Sequence, residues 1–188
     1  MAWLAIYDRD YEAATDALTK MPSDELDFLE ALRLQNLAMV EQLKGGDVRP
    51  YTDSLQVVGD ISFSFREFTP LLAARTLLLS GQQEDGLARL REAVTQARAS
   101  TDQRASHTTL SMAAGMYAYY GRQDEALEIF EEIVDRPGDG SVNLAGLQLD
   151  PGLDGLRADP RFDAILQRRA AFEAQAAIDA EADGPWVP

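Results

Sequence analysis

Residues 110–137 read LSMAAGMYAYYGRQDEALEIFEEIVDRP, and the spacing of small, aromatic and turn residues in this stretch decides the fold. Ala113 and Ala114 precede Tyr117, Gly121 marks a turn, and Ala126, Phe130 and Pro137 follow. Small side chains at 114 and 126 let two antiparallel helices approach closely. Tyr117 and Phe130 fill the space beside them, and Pro137 ends the second helix. Such a hairpin cannot bury its apolar face alone, so one match implies neighbours.

Working outward, Gly and Pro are sparse inside the periodic stretches and concentrated between them, as in helices joined by short turns. Turns are expected near positions 9, 46, 81 and 121, at intervals of about 37, 35 and 40 residues, which is a repeat period. The unit around 67–99 carries Ala73, Ala74, Leu77, Gly81, Gly86, Leu90 and Ala93, with Gly86 keeping the close approach where alanine is expected. A short leading helix over 2–7 precedes Asp10, which opens its partner. In the second unit Leu29, Leu32, Met39 and Leu43 keep helical spacing, and Pro50 is tolerable only in the first turn of the next helix. Residues 61–65, ISFSF, alternate as a strand would, but stand isolated and read as a linker. Residues 99–102 supply N-cap oxygens for the helix that follows. Past Pro137 a short helix is expected over 142–149. Asp159 then N-caps a helix with Pro160 at its first position, and Phe162, Ile165, Leu166 and Phe172 form its stripe. This gives helical repeats over 1–137, a capping segment and helix over 138–173, and an acidic, frayed tail over 174–188.

The fourth unit resembles a tetratricopeptide (TPR) repeat, with Ala114, Tyr117, Ala126, Phe130 and Pro137 at the family's small, aromatic and proline positions; Leu110 and Ile133 depart from it. Residues 149–162 resemble the end of the repeat arrays of large bacterial signalling proteins, which fuse such arrays to adenylate cyclase, serine/threonine kinase or winged-helix domains. Leu149, Asp150, Pro151, Asp154, Leu156, Arg157, Asp159, Pro160, Arg161 and Phe162 match that ending; Leu153 and Gly155 depart from it. The resemblance covers residues 71–166 well and the first 60 poorly. It implies an all-α, right-handed superhelical array of antiparallel helix hairpins, a TPR-like α-solenoid with a C-terminal capping helix. It also implies a concave binding groove, to which Arg75, Leu78 and Leu79 of the third unit and Thr108, Ser111, Ala118 and Tyr119 of the fourth would contribute.

Composition narrows the chemistry. A formal net charge of -15 over 188 residues argues against nucleic acid and anionic membrane, and leaves a basic or neutral protein or peptide as the partner. Cysteine is absent and His107 is the one histidine, so disulfides, thiolate metal sites and His-pair metal motifs find no residues here, and a Ser-His-Asp relay is not expected. No metal or other cofactor is expected. The start MAWLAIYDRD has no secretory pattern and no window approaches a membrane span, so the cytoplasm is the expected compartment. The acidic run from Asp124 to Asp135 reads as a solvated helix face, and His107, among polar neighbours, as a surface residue. Gly45-Gly46 and Gly138-Asp139-Gly140 lack the Lys-Ser/Thr of a phosphate loop and read as turns. Arg89, Arg91, Arg98 and Arg104 are interleaved with acids, and Arg168-Arg169 suits helix-dipole compensation. The expected function is a non-catalytic scaffold that binds a peptide or protein segment in the groove. The alternatives are a ligand-sensing regulatory domain of a larger signalling protein and a self-associating module.

Overall fold

The computed structural model describes residues 2–21, 27–57, 69–136 and 142–182, and these are helical, without a strand among them. The expected linker at 61–65, Pro137, the turn at 138–140 and the residues past 182 lie outside the described residues. The elements are α1 (Ala2–Tyr7), α2 (Tyr11–Thr19), α3 (Asp27–Leu43), α4 (Arg49–Val57), α5 (Thr69–Leu79), α6 (Gln83–Ala99), α7 (Gln103–Tyr119), α8 (Gln123–Ile133), α9 (Leu144–Leu149), a 3-10 helix (Pro151–Leu156) and α10 (Pro160–Ala182). Two compact units divide the chain, Met1–Thr109 and Leu110–Pro188.

The turns form by one mechanism. Arg9, Gly45, Gly81 and Gly121 adopt positive φ of 58, 73, 77 and 73°. At each, that residue's amide donates to a carbonyl three positions back, and the next amide donates five back. In the third turn these are Gly81 N to Leu78 O at 3.1 Å and Gln82 N to Leu77 O at 2.9 Å; in the fourth, Gly121 N to Ala118 O at 3.1 Å and Arg122 N to Tyr117 O at 2.8 Å. This is the Schellman ending, which satisfies the carbonyls a helix leaves over and demands a left-handed residue. It recurs at intervals of 36, 36 and 40 residues (9, 45, 81, 121).

In the first unit, α1 packs on α2, α3 on α4 and α5 on α6, while α3 also touches α2 and α5, and α4 touches α5. Ile6, Ala14, Leu18, Leu37 and Val40 form one core cluster, and Ala31, Leu34 and Leu55 another. The expected α3 stripe of Leu29, Leu32, Met39 and Leu43 is only half-buried, because the helix is rotated to bring Ala31, Leu34 and Ala38 inward. A polar seam crosses from α3 to α5: Gln35 Nε2 donates to Leu72 O and Thr76 Oγ1 at 3.0 and 2.9 Å, and Arg75 donates to Asn36 Oδ1 at 2.9 Å. Gly86 sits where α6 crosses α5, and a Cβ there would stand 2.6 Å from Leu78 Cγ. Pro50 falls in the first turn of α4. Asp102 accepts from the amides of Arg104 and Ala105, opening α7.

In the second unit Ala113, Ala114, Tyr117 and Ala118 of α7, and Ala126, Leu127, Ile129, Phe130 and Ile133 of α8, are buried. Asn143 caps α9, Asp150 caps the 3-10 helix, and Asp159 Oδ1 accepts from Arg161 N at the start of α10. Leu153 and Leu156 are buried, as are Phe162 and Ile165 of α10, with the Phe162 and Phe130 rings 6.4 Å apart. Three arginines tie α10 to α8. Arg161 donates to Asp124 at 2.7 Å, Arg168 to Asp135 and the Glu131 carbonyl, and Arg169 to the Val134 carbonyl at 3.2 Å. The Arg168-Arg169 pair therefore meets the carbonyl end of α8, where cations oppose the helix dipole. The helix α10 continues past residue 173 to Ala182.

Candidate functional site

Within the second unit α7 has two faces of different character. Ala113, Ala114, Tyr117 and Ala118 point inward, while Ser111, Met112, Gly115, Met116 and Tyr119 are half-exposed on the opposite arc. Gly115 stands in the middle of that arc, and a Cβ built there meets no atom within 4 Å. A glycine inside a helix costs about 1 kcal/mol against alanine. At Gly86 close packing accounts for that cost; at Gly115 no packed neighbour does, and the backbone is left open to approach from outside. Met112 and Met116 share the arc, with unbranched thioethers that adapt to irregular apolar shapes. The Tyr119 ring lies edge-on to Tyr120, centroids 5.1 Å apart, and its Cδ2 is 3.7 Å from the place of a Cβ on Gly152. Thus Tyr119 joins the arc to the Asp-Pro segment that follows α9.

The seven residues expected in a groove separate into two groups. Ser111, Tyr119 and Thr108 are half-exposed, and the Thr108 hydroxyl donates back to the Arg104 carbonyl at 3.1 Å. Arg75, Leu78, Leu79 and Ala118 are buried, at 8, 2, 5 and 6% exposure, which removes them from any solvent-facing surface. For the three on α5 the reason is the number of neighbours around that helix, which packs against α3, α4 and α6. Arg75 spends its guanidinium on Asn36 and on the Met39 sulfur at 3.3 Å. Met112, Gly115 and Met116 were not among the expected residues, although their spacing of seven, four and three residues from Tyr119 places them on its arc.

His107 corrects a second expectation. At 2% exposure it is buried rather than superficial, because it shares the helical phase of Leu110 and Ala114 whatever the polarity of its sequence neighbours. Near it an open cleft of about 370 Å³ lies between the end of α6 and the start of α7, lined by Gln96, Ala97, Ala99, Ser100, Ala105, Ser106 and Thr109. Its short side chains do not make the enclosed apolar pocket that a small-molecule sensor needs.

Charge on α8 is organised rather than diffuse. Asp124 and Asp135 hold arginines of α10, while Glu125 and Glu132 pair with Arg122 and Arg136 along α8 itself. The Arg161 guanidinium keeps the Asp159 carboxyl below its ordinary value. At Glu173, burial raises the carboxyl's pKa, but the Arg169 guanidinium and the Leu144 amide outweigh it and the net shift is downward. No group of three His, Asp or Glu side chains suited to a metal, and no helix long and apolar enough to cross a membrane, occurs among the described residues. No family model, curated protein or solved structure matches the chain.

Proposed function

We propose that the chain is a TPR-like array of helix hairpins that binds a peptide or protein segment without catalysis, and that the half-exposed arc of α7 in the second unit is its contact surface. The fourfold Schellman ending supports the repeat reading, as does the packing of α1–α6 into hairpins that touch their neighbours. The observation that carries the binding reading is the open space over Gly115 on the half-exposed arc of α7. An aliphatic or aromatic side chain of a partner fits there, with its backbone brought close by the missing Cβ and Tyr119 and Ser111 at the margin. The net charge of -15 favours a neutral or basic segment.

Gly115→Leu tests this directly. The substitution fills the opening and adds helix propensity worth about 1 kcal/mol, so the thermal midpoint should hold or rise. Peptides selected from a random display library on the wild-type chain should lose binding to the variant. If the selected peptides bind Gly115→Leu as well as wild type, this arc is not the contact surface.

A further inference from the structure

The leading helix α1, AWLAIY, is apolar nearly all round, a pattern that belongs to a helix covered on every side. Its inner side is covered: Ile6, with Ala2 and Ala5, packs on Ala14, Leu18, Leu37 and Val40. Its outer side is not. Trp3 and Leu4 are 47% and 61% exposed, and the Trp3 ring lies 6.4 Å from that of Tyr7. Between α1 and α2 runs an open cleft of about 430 Å³. Leu4, Ala5, Ala13 and Ala17 make its apolar lining, low enough for another backbone to lie close. Asp8, Asp10 and Asp16 stand around them, and Lys20 approaches from the edge to pair with Asp16. These carboxylates are only lightly engaged. Asp10 caps α2 through one oxygen, Asp16 pairs with Lys20 in solvent, and Asp8 enters no ion pair among the described residues. An ion pair that exposed contributes little and gives way easily to another cation.

We infer that the α1–α2 cleft docks a basic amphipathic helical segment of another protein. Its apolar side chains would cover Trp3 and Leu4, and its lysines or arginines would meet Asp8, Asp10 and Asp16. Charge decides between occupants. A second copy brings a net charge of -15 of its own, so two copies repel. An anionic lipid or nucleic-acid surface meets the same repulsion. A cationic, apolar-faced segment satisfies both the acids and the uncovered indole.

The test uses the full chain in a Trp186→Phe background, leaving Trp3 as the sole indole. The probes are a synthetic Lys/Leu amphipathic helix and its Glu/Leu counterpart. The Lys/Leu peptide should bind and shift Trp3 emission to the blue, while the Glu/Leu peptide should not. Asp8→Asn with Asp16→Asn should weaken binding about tenfold, the worth of two exposed charge contacts. A charge-matched control, Glu84→Gln with Asp85→Asn, both exposed on α6, which packs on α5, should leave the affinity within about twofold of wild type. Leu4→Ser should weaken binding without changing the affinity ratio between low and high salt. Equal losses in the two double variants, Trp3 emission that stays put, or equal binding of both peptides would overturn the inference. So would sedimentation showing that the chain pairs with itself through this cleft.

Discussion

The first helix of the first unit and the last helix of the second solve the same problem in opposite ways. Each has a hairpin beside it with apolar surface to cover. The helix α10 covers its side with Phe162 and Ile165 and holds its position with three arginines on α8, one of which, Arg169, is itself 93% buried. The helix α1 covers the inward side with Ile6 and then exposes Trp3 and Leu4 on the other. The exposed side of α10 carries Arg161, Asp163, Gln167 and Arg168 in its first half, with Ile178 uncovered further on, whereas that of α1 carries Trp3 and Leu4. The comparison separates a helix held in place by polar contacts from one that leaves large apolar side chains uncovered.

The largest effect should come from breaking the closed side. Phe162→Ala removes a fully buried ring against Phe130 and should cost about 3–5 kcal/mol in denaturant unfolding, whereas Leu4→Ala should stay within about 0.5 kcal/mol. Comparable losses in the two variants would erase the contrast. Next, Arg169→Ala strands the Val134 carbonyl and Glu173, and should cost about 2–3 kcal/mol. Arg168→Ala, at an exposed pair, should cost under about 1 kcal/mol, and thermal midpoints will rank the two.

Smaller and opposite in sign are two turn substitutions. Gly81→Ala should lose about 1 kcal/mol, since space is open around Gly81 and only its φ of 77° objects. Arg9→Gly should gain about 0.5–1 kcal/mol by relieving a non-glycine residue at φ 58°. The smallest effect is acidic. The folded-state pKa values of Asp159 and Glu173 lie below their ordinary values of 3.8 and 4.5, so their contribution is complete above those values and is lost as pH falls through the depressed ones. Hydrogen-exchange protection at the Leu144 amide, which donates to Glu173, should therefore hold at pH 6 and decline only once pH falls below the ordinary 4.5. Decline that begins well above pH 5 would assign the loss to another group.

The four turns were legible because the signal is chemical and local: glycine is the cheapest residue at a left-handed helix end, and three of the four endings carry one. The starts at Asp10 and Asp159 and the close approach at Gly86 were legible for the same reason. Rotation about the helix axes was not. Arg75 was expected at a surface because its partner Asn36 lies 39 residues away on another helix, and no spacing within α5 reveals it. His107 was misplaced likewise, since sequence neighbours do not fix which side of a helix meets its packing partner. On α7 the tyrosine of the arc was visible and Gly115 was not, because an empty volume leaves no trace in residue types alone.

The Schellman endings also bear on how the chain assembles. Each closes within six residues, and the hairpins of the first unit join helices adjacent in sequence, so little loop-closure entropy stands between the unfolded chain and its first stable pieces. Folding of this kind is fast and starts at several places. During synthesis each hairpin has its turn as soon as that turn leaves the ribosome, whereas the Arg168–Asp135 and Arg169–Val134 contacts must wait until α10 has emerged.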